Sequence, residues 1–154
     1  MAEIKAFRPL RYTEKAGSIA SCVCPPYDIV SDGMRKELCE RSECNLIRLE
    51  LPEGDDKYKE AKKLLDSFIE KGYLKKDDKD GIFIYEEEFE LKGRTLVLDG
   101  LVCLCKTYDF SEGVVLPHEE TLSKAKKDRF DLMTETFCNF SSVYSLFADD
   151  EGYI

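Results

Sequence analysis

Residues 55–72, Asp-Asp-Lys-Tyr-Lys-Glu-Ala-Lys-Lys-Leu-Leu-Asp-Ser-Phe-Ile-Glu-Lys-Gly, contain the clearest secondary-structure pattern in the chain. Apolar side chains recur there at helical spacing: Tyr58, Ala61, Leu64, Leu65, Phe68 and Ile69. The pattern predicts an amphipathic helix that is capped by Asp55 and Asp56 and stops at Gly72. A helix with one apolar face has to bury it against another layer of the fold.

A hairpin is predicted after this helix. Residues 82–90 and 95–108 have strand character, and the short loop between them contains Lys92-Gly93, which favours a tight turn. Gly100 in the second strand predicts a bulge or a close approach of another group to the backbone.

Weaker patterns predict the remaining elements. Strands are expected within residues 2–12 and over 19–23, 45–51 and 143–147, the third because Ile47, Leu49 and Leu51 alternate with polar residues. Helices are expected after Ser31 and over 124–136, the latter capped by Ser123, with Phe130, Met133 and Phe137 on its apolar side. The predicted fold class is α+β, with a mixed or antiparallel sheet and about three helices packed on it.

Length and charge limit the possible functions. A chain of 154 residues suits a single domain over residues 1–154. The formal net charge of −9 argues against nucleic-acid and anionic-membrane partners, but it permits a local site for a small anion or a nucleotide. Lys5, Arg8 and Arg11 interrupt any signal-peptide core, so a cytoplasmic location is expected. The oligomeric state is left open.

Seven cysteines are present, and both their odd number and the expected compartment argue against a disulfide framework. Cys22 and Cys24, like Cys103 and Cys105, would lie on one face of a strand. The chain has a single histidine and no Cys-x-x-Cys, so free thiols are expected and no metal site is assigned.

The segment Pro117-His118-Glu119-Glu120-Thr121 contains that single histidine and is the first candidate site. His118 can act as an acid, a base or a phosphate ligand, or it can be an ordinary surface histidine. Glu119 can act as a general base or assist magnesium, or it can be one of many solvated glutamates. Thr121 adds a hydroxyl for a phosphate or nucleotide.

Cations follow this segment at the start of the predicted helix, where they oppose the helix dipole and therefore suggest anion binding. Lys126 and Arg129 lie near one face, with Arg129 the best candidate for a bidentate phosphate contact, whereas Lys127 points elsewhere. Asp128 can contact a ligand or orient a neighbouring cation. A solvated basic face is the open alternative.

The sequence Pro25-Pro26-Tyr27-Asp28 predicts a rigid turn that presents a phenol and a carboxylate. Asp28 can bind a substrate amine or a metal, or Tyr27 and Asp28 can be structural turn residues. Arg48, on the predicted strand over 45–51, is expected to face water.

Three motifs together resemble a family. In order, they are Pro25-Pro26-Tyr27-Asp28-Ile29-Val30-Ser31, Asn45-Leu46-Ile47-Arg48-Leu49, and Pro117-His118-Glu119-x-Thr121 with Lys127-Asp128-Arg129. The chain resembles the N-terminal part of a bacterial and archaeal family catalogued as domain of unknown function 1015, nearly end to end. It departs at Ser123-Lys124-Ala125, where family members often have a Pro-Gly-Pro-like turn.

The resemblance implies a longer protein whose later part carries an Asp-Gly-His-His-Arg-like motif, similar to that of the ParB and sulfiredoxin-like superfamily; here Asp99-Gly100 is followed by Leu101-Val102. It therefore implies a ParB/sulfiredoxin-like fold and the N-terminal region of a nucleotide-dependent small-molecule phosphotransferase, with ATP or ADP and magnesium as cofactors and free serine as substrate. His118 and Glu119 would be catalytic. The alternative is a non-catalytic nucleotide- or anion-binding regulatory module.

Overall fold

A computed structural model describes residues 2–148 and residue 152. It confirms the α+β class: the described residues form five α-helices and three two-stranded antiparallel sheets. The helices are α1 (Ile19–Cys22), α2 (Asp32–Arg41), α3 (Ile47–Glu50), α4 (Lys57–Glu70) and α5 (Ser123–Thr136). The strands are β1 (Ile4–Lys5), β2 (Leu10–Tyr12), β3 (Leu74–Lys76), β4 (Phe83–Leu91), β5 (Arg94–Val102) and β6 (Leu104–Cys105). None of the described helices combines the length and apolar character needed to cross a membrane.

Two compact units make up the chain. Of the described residues, unit 1 contains 2–9, 77–119, 142–148 and 152, and unit 2 contains 10–76 and 120–141. Strand pairs β1–β6 and β4–β5 belong to unit 1, and the pair β2–β3 and all five helices belong to unit 2.

The core of unit 2 forms around α4, as the periodicity of residues 55–72 predicts. Its buried residues are Ala16, Cys22, Cys44, Leu49, Leu65, Phe68 and Leu74. Gly72 adopts a positive φ of 74° just after α4, which is the left-handed conformation that ends many helices. Asp56 occupies the N-cap position of α4 but makes no side-chain cap hydrogen bond.

The strands predicted over 19–23 and 45–51 are wrong, because both segments contain single-turn helices, α1 and α3. The Asn45 side chain explains why the segment 45–51 is not a strand. Its Nδ2 donates to Ser21 O (2.8 Å) and Val23 O (3.0 Å), and its Oδ1 accepts from Ile47 N (3.1 Å). Asn45 thereby ties α3 to the end of α1 and turns the chain where a strand would stay extended.

Arg48 does not face water, contrary to the prediction. Its Nη2 donates to Cys39 O (2.5 Å) and its Nε to Ser42 O (3.4 Å), so it binds carbonyls at the end of α2. Helix α2 itself begins as predicted, with Ser31 Oγ accepting from Met34 N.

Helix α5 lies where the sequence predicts it, but its predicted apolar side is wrong. Phe130 and Phe137 are 61% and 85% exposed, and Met133 is also exposed, whereas Leu132 and Thr136 are buried. The N-cap is Leu122, so Ser123 is the first helical residue and not the cap. The strand predicted over 143–147 is also absent, and that segment has no regular structure.

Unit 1 contains the predicted hairpin. Lys92 and Gly93 have φ values of 51° and 73°, as in the type I′ turn that favours two-residue hairpin loops. Pairing runs without interruption from Phe83↔Val102 to Leu91↔Arg94, so Gly100 is not a bulge and faces the ring of its partner Tyr85. The second strand of the hairpin, β5, ends at Val102, whereas the sequence predicted a strand as far as residue 108. The next strand, β6, pairs with β1.

Candidate functional site

Four sequence segments meet within unit 2, and their polar side chains form what we call the Arg129 cluster. It consists of Tyr27, Glu50, Lys57, Tyr58, Asp128 and Arg129. The 3₁₀ turn Tyr27–Ile29, the end of α3 and the first turn of α4 supply the first four residues, and α5 supplies the last two.

Arg129 is fixed on three sides. Its Nη2 donates to the carbonyl oxygen of Glu50 (2.9 Å), its Nε donates to Asp128 Oδ2 (3.1 Å), and its Cζ lies 4.1 Å from the centroid of the Tyr27 ring. Cation–π stacking and charge-assisted hydrogen bonds both favour this orientation. The side chain remains 24% exposed, and its Nη1 donates to no described residue. Nη1 is therefore the guanidinium nitrogen that can donate to a ligand.

The Asp128 carboxylate balances the positive charge of Arg129. Its Oδ1 accepts from Lys57 Nζ (2.8 Å) and from Tyr58 Oη (2.7 Å), while Oδ2 accepts from Arg129. Burial raises the pKa of the Asp128 carboxyl, but the hydrogen bonds from Lys57, Tyr58 and Arg129 outweigh burial and hold that pKa well below its usual range. Asp128 is thus ionised at neutral pH and orients Arg129.

Glu50 is the least expected member of the cluster, because the residue is only 2% exposed. The Cys24 thiol donates to Oε2 (3.7 Å) and the Ser141 hydroxyl to Oε1. Burial, and then the charge of Glu50, raises the pKa of Cys24 to about 12, so this thiol stays protonated. A buried carboxylate held by two neutral donors is unusual, since buried charges generally require partners.

Local sequence patterns do not mark Glu50, Lys57 or Tyr58 as site residues. The strand predicted over 45–51 placed Glu50 on a solvent-facing side, and nothing in the local pattern marks it as buried. Lys57 and Tyr58 belong to the first turn of α4, where a charged residue and an aromatic residue are ordinary. Only their contacts with Asp128, some 70 positions away in the sequence, distinguish them.

The site residues predicted from the sequence are divided between the two units. His118 and Glu119 lie in unit 1, and both are exposed. Tyr27, Asp28, Thr121, Lys126 and Arg129 lie in unit 2, which brings Tyr27 and Arg129 into direct contact. Asp28, Thr121 and Lys126 are exposed. Lys127 pairs with Asp131 (2.7 Å) on the surface of α5.

The Arg129 cluster is better suited to anion binding than to proton transfer. Nη1 of Arg129 can donate to a phosphate or carboxylate. Both nearby carboxylates already accept hydrogen bonds from protein groups. All seven cysteines are free, and across residues 2–148 and residue 152 no group of three or more His, Cys, Asp or Glu side chains is placed to hold a metal ion.

Comparison with known proteins identifies a family but no characterised relative. A family model described as "Protein of unknown function (DUF1015)" matches residues 4–154. No curated protein and no solved structure matches the chain.

Proposed function

The chain belongs to the family described as protein of unknown function DUF1015, and we propose that it is the N-terminal region of a nucleotide-dependent phosphotransferase acting on a small molecule. Arg129 binds a phosphate group of ATP or ADP. The observation that supports this proposal is the guanidinium of Arg129, held by Asp128, Glu50 and Tyr27 with Nη1 unused.

Preorganisation is the physical argument for Arg129 as the phosphate anchor. A flexible arginine loses side-chain entropy when it binds an anion, whereas one already held by three contacts loses little. Lys126 lies three residues earlier on the same side of α5 and is exposed, so it can approach the same anion. Thr121 supplies a further hydroxyl in the same unit.

The transfer step follows from the chemistry of phosphate esters. The hydroxyl oxygen of the acceptor forms a bond to the γ-phosphorus of ATP, and the bond from that phosphorus to the β–γ bridging oxygen breaks, so ADP leaves. Glu119 and His118 belong to unit 1, and the roles proposed for them are acceptance of the hydroxyl proton by Glu119 and hydrogen bonding to a phosphoryl group by His118. Magnesium would arrive with the nucleotide. Free serine is the acceptor that the family resemblance implies, and Tyr27 or Asp28 contacts it.

A second function is favoured by one observation. Both carboxylates of the Arg129 cluster already accept hydrogen bonds from protein groups, Asp128 from Lys57 and Tyr58 and Glu50 from Cys24 and Ser141. A site of this kind suits a non-catalytic module that binds a nucleotide or anion and regulates another domain.

Thermal unfolding with ATP, ADP, pyrophosphate and sulfate, each with and without magnesium, tests the binding. A ligand that binds only the folded protein raises the apparent midpoint. We expect a rise with ATP or ADP that Arg129→Ala abolishes and Lys127→Ala preserves, because Lys127 already pairs with Asp131. An equal rise in wild type and Arg129→Ala would overturn the anchor role.

An assay of product formation distinguishes the phosphotransferase from the regulatory module. Incubation with ATP, magnesium and free serine, followed by mass spectrometry for the phosphorylated amino acid, should yield product for the phosphotransferase, and Glu119→Gln should reduce the rate without changing the midpoint shift. Binding without product in the full-length family protein would favour the regulatory module.

A further inference from the structure

A groove of about 560 Å³ lies within unit 2, where the end of α4 meets the turn that follows β2. Its apolar lining comes from Ile69, in the last turn of α4, and Leu74, at the start of β3. Leu74 is 6% exposed and belongs to the core, whereas Ile69 is 43% exposed and presents a large apolar side chain to solvent. Small-molecule sites commonly have volumes of about 300–1,000 Å³, so the groove has room for a ligand.

The turn on the other side of the groove is fixed to the end of α4. Thr13 Oγ1 accepts from Lys15 N (3.2 Å) and donates to Gly72 O (2.6 Å), and Thr13 N donates to Tyr73 O (2.9 Å). The Lys15 side chain lies across Gly72, with its Nζ 3.4 Å from the position that a Cβ would occupy there. The absence of a side chain at Gly72 therefore leaves space for the Lys15 ammonium group at the groove.

Cations outnumber carboxylates around the groove. Among the described residues, Lys15, Lys75 and Lys76 line it, and Glu14 is the only carboxylate that does. Lys75 has a partner of its own. Within residues 2–148 and residue 152, however, the ammonium groups of Lys15 and Lys76 form no hydrogen bond and no ion pair. Two unpaired cations beside an exposed apolar side chain, in a chain with a net charge of −9, form a local site of opposite sign to the whole protein.

We propose that this groove binds a small amphipathic anion, in which an apolar chain ends in a carboxylate or phosphate group. The chain packs mainly on Ile69 and removes apolar surface from water. The head group accepts charge-assisted hydrogen bonds from Lys15 and Lys76. Both parts of the ligand are required, because a single exposed ion pair contributes little to a free energy of binding.

Charge and position define the occupant and separate this groove from the Arg129 cluster. A cationic amphiphile would be repelled by the lysines, and an anionic membrane surface would meet a protein with a net charge of −9. Ile69 lies twelve residues beyond Lys57 on α4, which is about 18 Å along the helix axis at about 1.5 Å per residue. Binding in the groove is therefore independent of the proposed phosphotransfer.

Decanoate is the probe, and two compounds are its controls. Acetate has the same head group without the chain, and decylammonium has the same chain with the opposite charge. Isothermal titration at low salt should detect binding of decanoate and of decyl phosphate but of neither control. Amide chemical shifts of the chain should change around Lys15, Gly72 and Leu74 when decanoate is added, and those around Lys57 should not.

Substitutions at the groove test the two parts of the ligand separately. Lys15→Met keeps most of the apolar stem but removes the charge, so we expect decanoate affinity to fall about fivefold. Lys59→Met is the matched control at the other end of α4, where Lys59 pairs with Asp56, and it should change affinity by less than about 1.5-fold. Ile69→Ser should lower affinity about fivefold, and Glu14→Gln should raise it about twofold because it removes a repulsive charge.

Four results would overturn the proposal. They are no binding of decanoate, equal binding of acetate or decylammonium, equal losses of affinity in Lys15→Met and Lys59→Met, and binding to phosphatidylglycerol vesicles without binding of free decanoate. Arg129→Ala should bind decanoate as the wild type does, so a failure of the proposed nucleotide site and a failure of this groove are distinguishable.

Discussion

The Arg129 cluster and the β4–β5 hairpin reverse the usual distribution of polar and apolar groups. In unit 2, Glu50 is 2% exposed and Asp128 is half-buried, and both have hydrogen-bond partners. In unit 1, Leu96 and Leu98 are exposed on a two-stranded ribbon. Buried polar groups cost stability unless they are satisfied, and exposed apolar faces commonly mark binding surfaces.

The difference shows two ways in which a protein can carry function. The cluster holds its polar groups in place through hydrogen bonds and ion pairs beside a packed core. The hairpin has little core of its own, and its apolar side chains are exposed. Mutations should therefore affect stability more in the first region than in the second.

The largest effect is expected from truncating the core next to the cluster. Leu49 is 0% exposed and belongs to the unit 2 core, so Leu49→Ala should lower the free energy of unfolding by about 3 kcal/mol. The matched change Leu98→Ala in the hairpin should cost less than about 1 kcal/mol, because that side chain is already partly hydrated. Urea denaturation measures the free energy of unfolding of both variants, and equal losses would contradict the expected difference between the two regions.

An intermediate effect is expected from Asp128→Asn. The variant keeps the shape but loses the charge that holds Lys57 and Arg129, so the free energy of unfolding should fall by about 2 kcal/mol at neutral pH. The control Asp66→Asn removes a more exposed i,i+4 ion pair with Lys62 and should cost less than about 0.5 kcal/mol.

The same variant has a defined pH dependence. The pKa of Asp128 is lowered in the folded state, so its contribution is complete above the unfolded value of about 3.9 and is lost as the pH falls through the folded value. The stability difference between wild type and Asp128→Asn should stay constant from about pH 7 to about pH 5 and then shrink below about pH 4. A difference that grows on acidification would contradict the assigned ionisation.

The smallest effect concerns the hairpin turn. Lys92 adopts a φ of 51°, a left-handed conformation that asparagine tolerates better than lysine. Lys92→Asn should stabilise the hairpin by about 0.5 kcal/mol without altering unit 2. Hydrogen exchange should show slower exchange in β4 and β5 and no change in α4. Slower exchange throughout α4 as well would indicate that the two regions do not respond separately.

Local sequence patterns suffice for elements whose periodicity and end signals agree. Residues 55–72 combine helical spacing with a terminal glycine, and the helix α4 forms there. Lys92-Gly93 favours a left-handed turn, and the strands on either side pair in register around it. The helix over 124–136 was predicted with nearly its observed bounds, although its predicted cap and apolar side are wrong. These signals act within a few residues and do not depend on the rest of the fold.

Of the predicted site residues, Tyr27 and Arg129 are the pair that the structure joins, although they are some 100 positions apart in the sequence. Their contact was not predictable, because each was chosen from its own motif. Glu50 was missed because the short alternating segment predicts a strand with one solvent-facing side. Asn45 instead folds the segment into a turn, and the turn buries Glu50.

Sequence patterns alone predict the α+β class, the three longer helices, the hairpin and the family. Tertiary structure alone decided which side of α5 is buried, that residues 19–22 and 47–50 are helical, and that Glu50 lies in the interior. The physical reason is that helical and turn propensities are local free energies, whereas burial depends on which distant segments arrive to exclude water.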